Sequence, residues 1–195
     1  MYGLPFSVVF YGWIINILIT VFMLRIWCQS CGVSIYNPIA SYILRITKPP
    51  VKFLGNRVVN GVNLSAMAVI PILLAVKYIG IYLLLDIPLE QVFHPIYVFF
   101  KPLIFIIRYT GMVFLMVLII DALLSWFGSN TVSQFTRPLT NPISEVLRKF
   151  IPPIGMIDIS FIVILILLQV ADYLAAQMLL KIAPDMAGFL WTLVI

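Results

Sequence analysis

Two cysteines, Cys28 and Cys31, stand as C-x-x-C, a spacing that serves redox chemistry or half of a zinc site. Neither chemistry is completed by the rest of the chain. A zinc site needs three or four ligands, and the only histidine, His94, is distant in sequence. Only a dimer pooling both cysteine pairs would supply four thiolates. Haem attachment fails because Gly32, not a histidine, follows Cys31. A Ser or Cys nucleophile would lack a nearby base, and there is no Gly-rich phosphate loop. No enzymatic activity, cofactor or metal is therefore expected. What remains for chemistry is a set of charges embedded in apolar sequence: Arg25, Lys77, Lys101, Arg108, Asp121 and Asp172, with Asp158 at the edge of the last apolar run.

The elements that carry these charges follow from composition. Hydrophobic residues make up 63% of the 195 residues and charged residues 10%, against about 25% charged in a soluble domain. No soluble fold of this size covers so much apolar surface, so the chain reads as an all-α integral membrane protein. Its net charge of +5 does not signal nucleic acid, because the basic residues form no stripe interleaved with aromatics. Four apolar stretches meet the ~20-residue requirement for a transmembrane helix. They run over about Phe6–Trp27, Leu64–Leu85, Leu103–Phe127 and Ile159–Ile182. The first has no preceding Lys or Arg and no small-residue cleavage site after it, so it reads as a retained span. The segment Ala183–Ile195 is apolar but too short to span.

Orientation follows from the loops. The first long loop carries Arg45, Lys48, Lys52 and Arg57 and no acid. The last carries Arg137, Arg148 and Lys149 against Glu145, whereas the middle loop carries Asp86 and Glu90. Both basic loops are expected in the cytoplasm, with both termini and His94 outside. The cysteines then sit on the reducing side, where a structural disulfide is not expected.

Each half reads as span, basic loop, span, with Trp27 and Trp126 ending spans one and three. "ITKPPVKFL" (Ile46 to Leu54) matches "LTNPISEVL" (Leu139 to Leu147), and "GVNLS" (Gly61 to Ser65) matches "GMIDIS" (Gly155 to Ser160) with one insertion. The fold expected is a tandem parallel duplication, residues 1–95 and 96–195, related by an axis along the membrane normal. Within the loops, Asn37-Pro38 and Asn141-Pro142 are helix-start signals. The periodic residues Ile39, Tyr42, Ile43 and Ile46 follow the first, and Ile143, Val146, Leu147 and Phe150 the second. Both segments read as amphipathic helices on the cytoplasmic face, close to anionic headgroups.

The motifs "LRIW" (Leu24 to Trp27), "YNP" (Tyr36 to Pro38), "ITKP" (Ile46 to Pro49), "LTNP" (Leu139 to Pro142) and "IPPIGMID" (Ile151 to Asp158) resemble the two repeats of the YggT family. The resemblance covers nearly the whole chain. It implies a bacterial multi-pass inner-membrane protein, with relatives in chloroplasts. It also implies a role in osmotic or ion tolerance, or in organising membrane complexes. Asn63 stands where the family usually has Asp, and Met156 where a second Gly is common.

Charges at membrane depth cost at least ~2.5–3.5 kcal/mol each at a helix centre, so they are expected in pairs or along a polar path. Arg25 and Asp121 lie at depths about one helical turn apart, and Lys77 and Asp172 at one depth with opposite sign, with Arg108 as a competitor for Asp172. Asp158, Gln169 and Asp172 share one face of span four. These charges either fix helix packing or line a route for an ion, the latter requiring an oligomer. Two roles are thus expected: support of osmotic or potassium homeostasis, or a membrane scaffold. In the scaffold, the basic residues Arg45, Lys48, Lys52, Arg57, Arg148 and Lys149 hold lipid or an unidentified protein partner.

Overall fold

The computed structural model describes residues 5–59, 61–85, 101–125, 128, 130–149 and 159–182. These form six helices and one hairpin: α1 (Phe6–Ser30), α2 (Pro38–Phe53), β1 (Val58–Val59), β2 (Val62–Asn63), α3 (Leu64–Leu84), α4 (Lys101–Ser125), α5 (Thr131–Arg148) and α6 (Ile159–Ile182). Among the described residues, α1, α3 and the stretch Phe105–Leu124 of α4 combine the length and hydropathy needed to cross a membrane. Helix α6 occupies the fourth expected span, Ile159–Ile182. The three apolar helices fit a membrane protein. Their outer faces carry Phe10, Trp13, Ile17, Ile79, Ile107 and Met116 exposed, an apolar surface of the kind that lipid covers.

Helix α1 packs along α3, and α4 packs along both α5 and α6. The α1–α3 seam buries Ile15, Ile19, Phe22, Leu74 and Ile81. It closes tightly at Gly80, where the Tyr11 ring occupies the space a Cβ would need. Tyr11 then donates its hydroxyl to the Val76 carbonyl at 2.7 Å. A second cluster joins Cys28, Val33, Ala40 and Ile43 to Val117, Phe135 and Leu139, so α5 sits against the α1–α2 corner.

The first surface helix starts as its sequence dictates. The Asn37 side chain accepts from Ile39 N and Ala40 N, with Pro38 in the first turn. The second corrects the sequence reading. Asn141-Pro142 lies inside α5, not at its start. The cap is Asn130, which accepts from Val132 N and Ser133 N while its own N–H reaches Ser133 Oγ, a reciprocal cap. Asn130 follows Asn37 by 93 residues, the spacing that also separates Thr47 from Thr140. The Asn37 amide donates to the Thr131 carbonyl at 2.8 Å, pinning the two helix starts together.

The buried stripe of α2 also differs from expectation. It is Ala40, Ile43, Thr47 and Val51, while Tyr42 and Ile46 face outward. After α2, the chain turns through the β1–β2 hairpin, in which Val58 opposes Asn63 and Val59 opposes Val62. Gly61, at φ +79°, supplies the left-handed residue of its turn. Asn63 then caps α3 by accepting from Ala66 N and donates its amide to Asn56 Oδ1. An aspartate at this fully buried position would lose that donor, which accounts for Asn63 here. The counterpart Asp158, with His94, Trp126 and Ala183–Ile195, lies outside the described residues.

Replacing Gly80 by alanine should force α1 and α3 apart and destabilise the fold by ~1–3 kcal/mol. Thermal unfolding in detergent checks this, and because Tyr11→Ala removes the clash, the double variant should cost less than the sum of the two single variants.

Candidate functional site

The intramembrane charges do not form the ion pair expected between Arg25 and Asp121. Each instead grips the surface helix next in sequence. Arg25, 5% exposed, donates from Nη1 to Thr47 Oγ1 at 2.6 Å and to the Leu44 carbonyl at 3.0 Å. Asp121 accepts from Thr136 Oγ1 at 2.7 Å on one carboxylate oxygen and from Thr140 Oγ1 at 2.9 Å on the other. Thr47 and Thr140 hold the same place in the matching "ITKP" and "LTNP" motifs. A hydroxyl both donates and accepts. The same residue type therefore receives a guanidinium in one half and serves a carboxylate in the other. Thr47 passes its own proton on to the Ile43 carbonyl at 2.6 Å. The clasp at Arg25 is incomplete, because its Nε and Gln29 Oε1, one turn away, are buried without a hydrogen-bond partner.

Deeper in the bundle, Lys77 is 1% exposed and donates to Asn16 Oδ1 at 2.8 Å. Its ammonium also lies 4.0 Å from the centroid of the Phe105 ring, whose negative face favours a cation. Phe105 stacks on Tyr109 at 5.2 Å. Tyr109 donates to the Asn16 carbonyl at 3.0 Å and shares a hydrogen bond of 2.7 Å with Thr20. One polar network thus ties α1, α3 and α4 together near mid-span. Asn16, Thr20 and Tyr109 were not among the residues singled out from sequence, because single neutral polar residues in an apolar run give no periodic signal.

The remaining candidates divide. Arg108 and Gln169 line one cavity of about 680 Å³ along α4, together with Trp27, Tyr109, Phe114 and Leu168. The side chains of Lys101, Asp172 and Arg148 lie outside the described residues, as does Asp158. Arg45, Lys48, Lys52, Arg57 and Lys149 are exposed. Both cysteines are free thiols, Cys28 buried and Cys31 half-buried, and burial pushes the Cys31 thiol up, away from the reactive thiolate. Among the described residues no three His, Cys, Asp or Glu side chains gather as metal ligands. The arrangement is built to hold helices in fixed relation.

Thr140→Val keeps the shape but removes one donor from Asp121, and should lower stability by ~1–3 kcal/mol. Thr140→Ser should lose far less. Melting temperatures of the purified variants in one detergent separate the two.

The CCB3/YggT family model matches residues 100–179. A protein of Haemophilus influenzae is 31% identical over 190 residues, covering 95% of both chains. One of Vibrio alginolyticus is 29% identical, covering 84% of this chain and 90% of its own. The YggT protein of Escherichia coli K12 is 25% identical, covering 91% of this chain and 93% of its own. No solved structure matches. The matches include no enzymatic family. From the second-half family match and a relative aligned along nearly its whole length, the chain belongs to the YggT family.

Proposed function

We propose that the protein is a four-span inner-membrane scaffold, with basic loops in the cytoplasm and both termini outside. In this reading it is a tandem duplication, residues 1–95 and 96–195, whose surface helices present a basic face to a partner. The observation that carries the reading is the use of Arg25 and Asp121. Both are consumed in fastening α2 and α5 to the spans through Thr47, Thr136 and Thr140. Charges spent on fixing two surface helices serve a rigid platform better than a conduction path. The duplication is supported by the 93-residue spacing shared by the two caps and the two clasp threonines.

A second reading, potassium or osmotic homeostasis through permeation, draws on Lys77 at mid-span and on Arg108 and Gln169 beside one cavity. In it, Lys77 and Asp172 are the two charges that the sequence spacing puts at one depth with opposite sign.

Two sets of variants separate the readings in a strain that depends on this protein for growth under osmotic stress. Charge reversal at Lys52, Arg57, Arg148 and Lys149 should abolish complementation with insertion intact. Lys77→Leu and Asp172→Leu should retain it wherever the protein accumulates normally, and purified protein should pass no potassium into liposomes. Measured flux, lost on Lys77→Leu, would overturn the scaffold in favour of permeation.

A further inference from the structure

Helix α2 has three faces where a docked surface helix needs two. At about 100° per residue, its buried face (Ala40, Ile43, Thr47, Val51), its exposed apolar face (Tyr42, Ile46, Phe53, with Ile39 at the edge) and its basic face (Arg45, Lys48, Lys52) point roughly 120° apart. Phe53 is 90% exposed and Tyr42 65% exposed. The preceding turn adds Ile35 and Tyr36, also exposed.

The corresponding helix α5 behaves differently. At the 93-residue spacing, Tyr42 and Ile46 correspond to Phe135 and Leu139. Those two are only 6% and 4% exposed, covered by the cluster around Cys28, Ala40 and Ile43. The outward arc of α5 is mostly polar, with Gln134, Arg137, Asn141 and Glu145 exposed beside Val132 and Val146. The Tyr42–Ile46 part of the stripe is therefore covered by protein in α5 and uncovered in α2, whereas Val146, the counterpart of Phe53, is exposed as Phe53 is.

We propose that lipid covers it: α2 lies within the leaflet, its Tyr42–Ile46–Phe53 stripe among acyl chains, and Arg45, Lys48 and Lys52 bind anionic phospholipid headgroups. Charge selects this occupant. The chain has no acidic residue before Asp86, so α1, α2, the hairpin and α3 offer the basic face no acid. Order of the faces selects it too. Three diverging faces, one toward the bundle, one apolar and one basic, match the three surroundings of a helix at the interface: protein, acyl chains and headgroups. A second copy of the chain is a poorer fit. The counterparts of the covering residues Ala40 and Ile43 are Ser133 and Thr136, already buried, with Thr136 bound to Asp121. The inference takes the cytoplasmic orientation from the proposed function but needs no protein partner.

The test uses the full chain in nanodiscs. Spin labels at Ile46→Cys and Phe53→Cys, in a Cys28→Ala, Cys31→Ser background, should collide with oxygen more than with an aqueous nickel chelate. A label at Lys48→Cys should show the reverse. Nickel access at Ile46, or protection from both reagents with spin–spin broadening between copies, overturns the proposal. A second measurement leaves the cysteines untouched. Spin-labelled phosphatidylglycerol should associate in preference to phosphatidylcholine, and each neutralisation, Lys48→Gln or Lys52→Gln, should lower that preference about fivefold, ~1 kcal/mol per residue. Arg137→Gln on α5 should leave it unchanged. Equal preference in all variants overturns the proposal. If the basic residues are still required in cells, the scaffold reading survives that failure.

Discussion

A charge placed in an apolar helix must find a partner before the helix can enter lipid. In this chain the partners at the surface-helix end of the bundle are threonine hydroxyls, and the architecture depends on that choice. Arg25 fastens α2, and Asp121 fastens α5. Because a hydroxyl serves either sign, α2 and α5 are held by opposite charges through threonines that stand at matching places in the ITKP and LTNP motifs. Neutral partners also leave each charge fastened to the helix next in sequence. An Arg25–Asp121 ion pair would tie α1 to α4 and leave both surface helices without a polar anchor.

The mid-span network has a different task. Lys77, Asn16, Thr20 and Tyr109 lock three helices at one depth, with the Phe105 face completing the shell of the ammonium. Removing one member leaves another buried polar group unpaired, which costs more than the bond itself contributes. Close packing at Gly80 against Tyr11 supports the same seam from outside the network. Fixed spans and fixed surface helices together give a shape suited to presenting a surface.

Much of this was legible in the sequence. Continuous apolar runs located α1, α3, α4 and α6 to within a few residues, because length in lipid leaves little freedom. The Asn37 cap was legible because Asn-Pro ahead of a periodic run is a local signal. The same dipeptide misled at Asn141-Pro142, where docking through Thr136 and Thr140 carries the helix through the proline. The stripe on α2 departs from the periodicity for a related reason. Periodicity finds an apolar face but does not say whether protein or lipid covers it, and α2 has one of each. The hairpin has a local sequence signal of its own, Asn60-Gly61 between valines. The partners of Arg25 and Asp121 are less legible: the matching motifs hold Thr47 and Thr140, but Thr136 stands outside them and a lone hydroxyl gives no charge signal.

The most direct measurement of the central claim is hydrogen exchange of the α2 and α5 backbone amides in lipid nanodiscs, comparing the native chain with Arg25→Met and Asp121→Leu. The clasps predict selective release: faster exchange along α2 alone in the first variant, and along α5 alone in the second, with α1 and α3 protected in both. Unchanged protection of the surface helices, or uniform loosening of the bundle in either variant, would contradict the account.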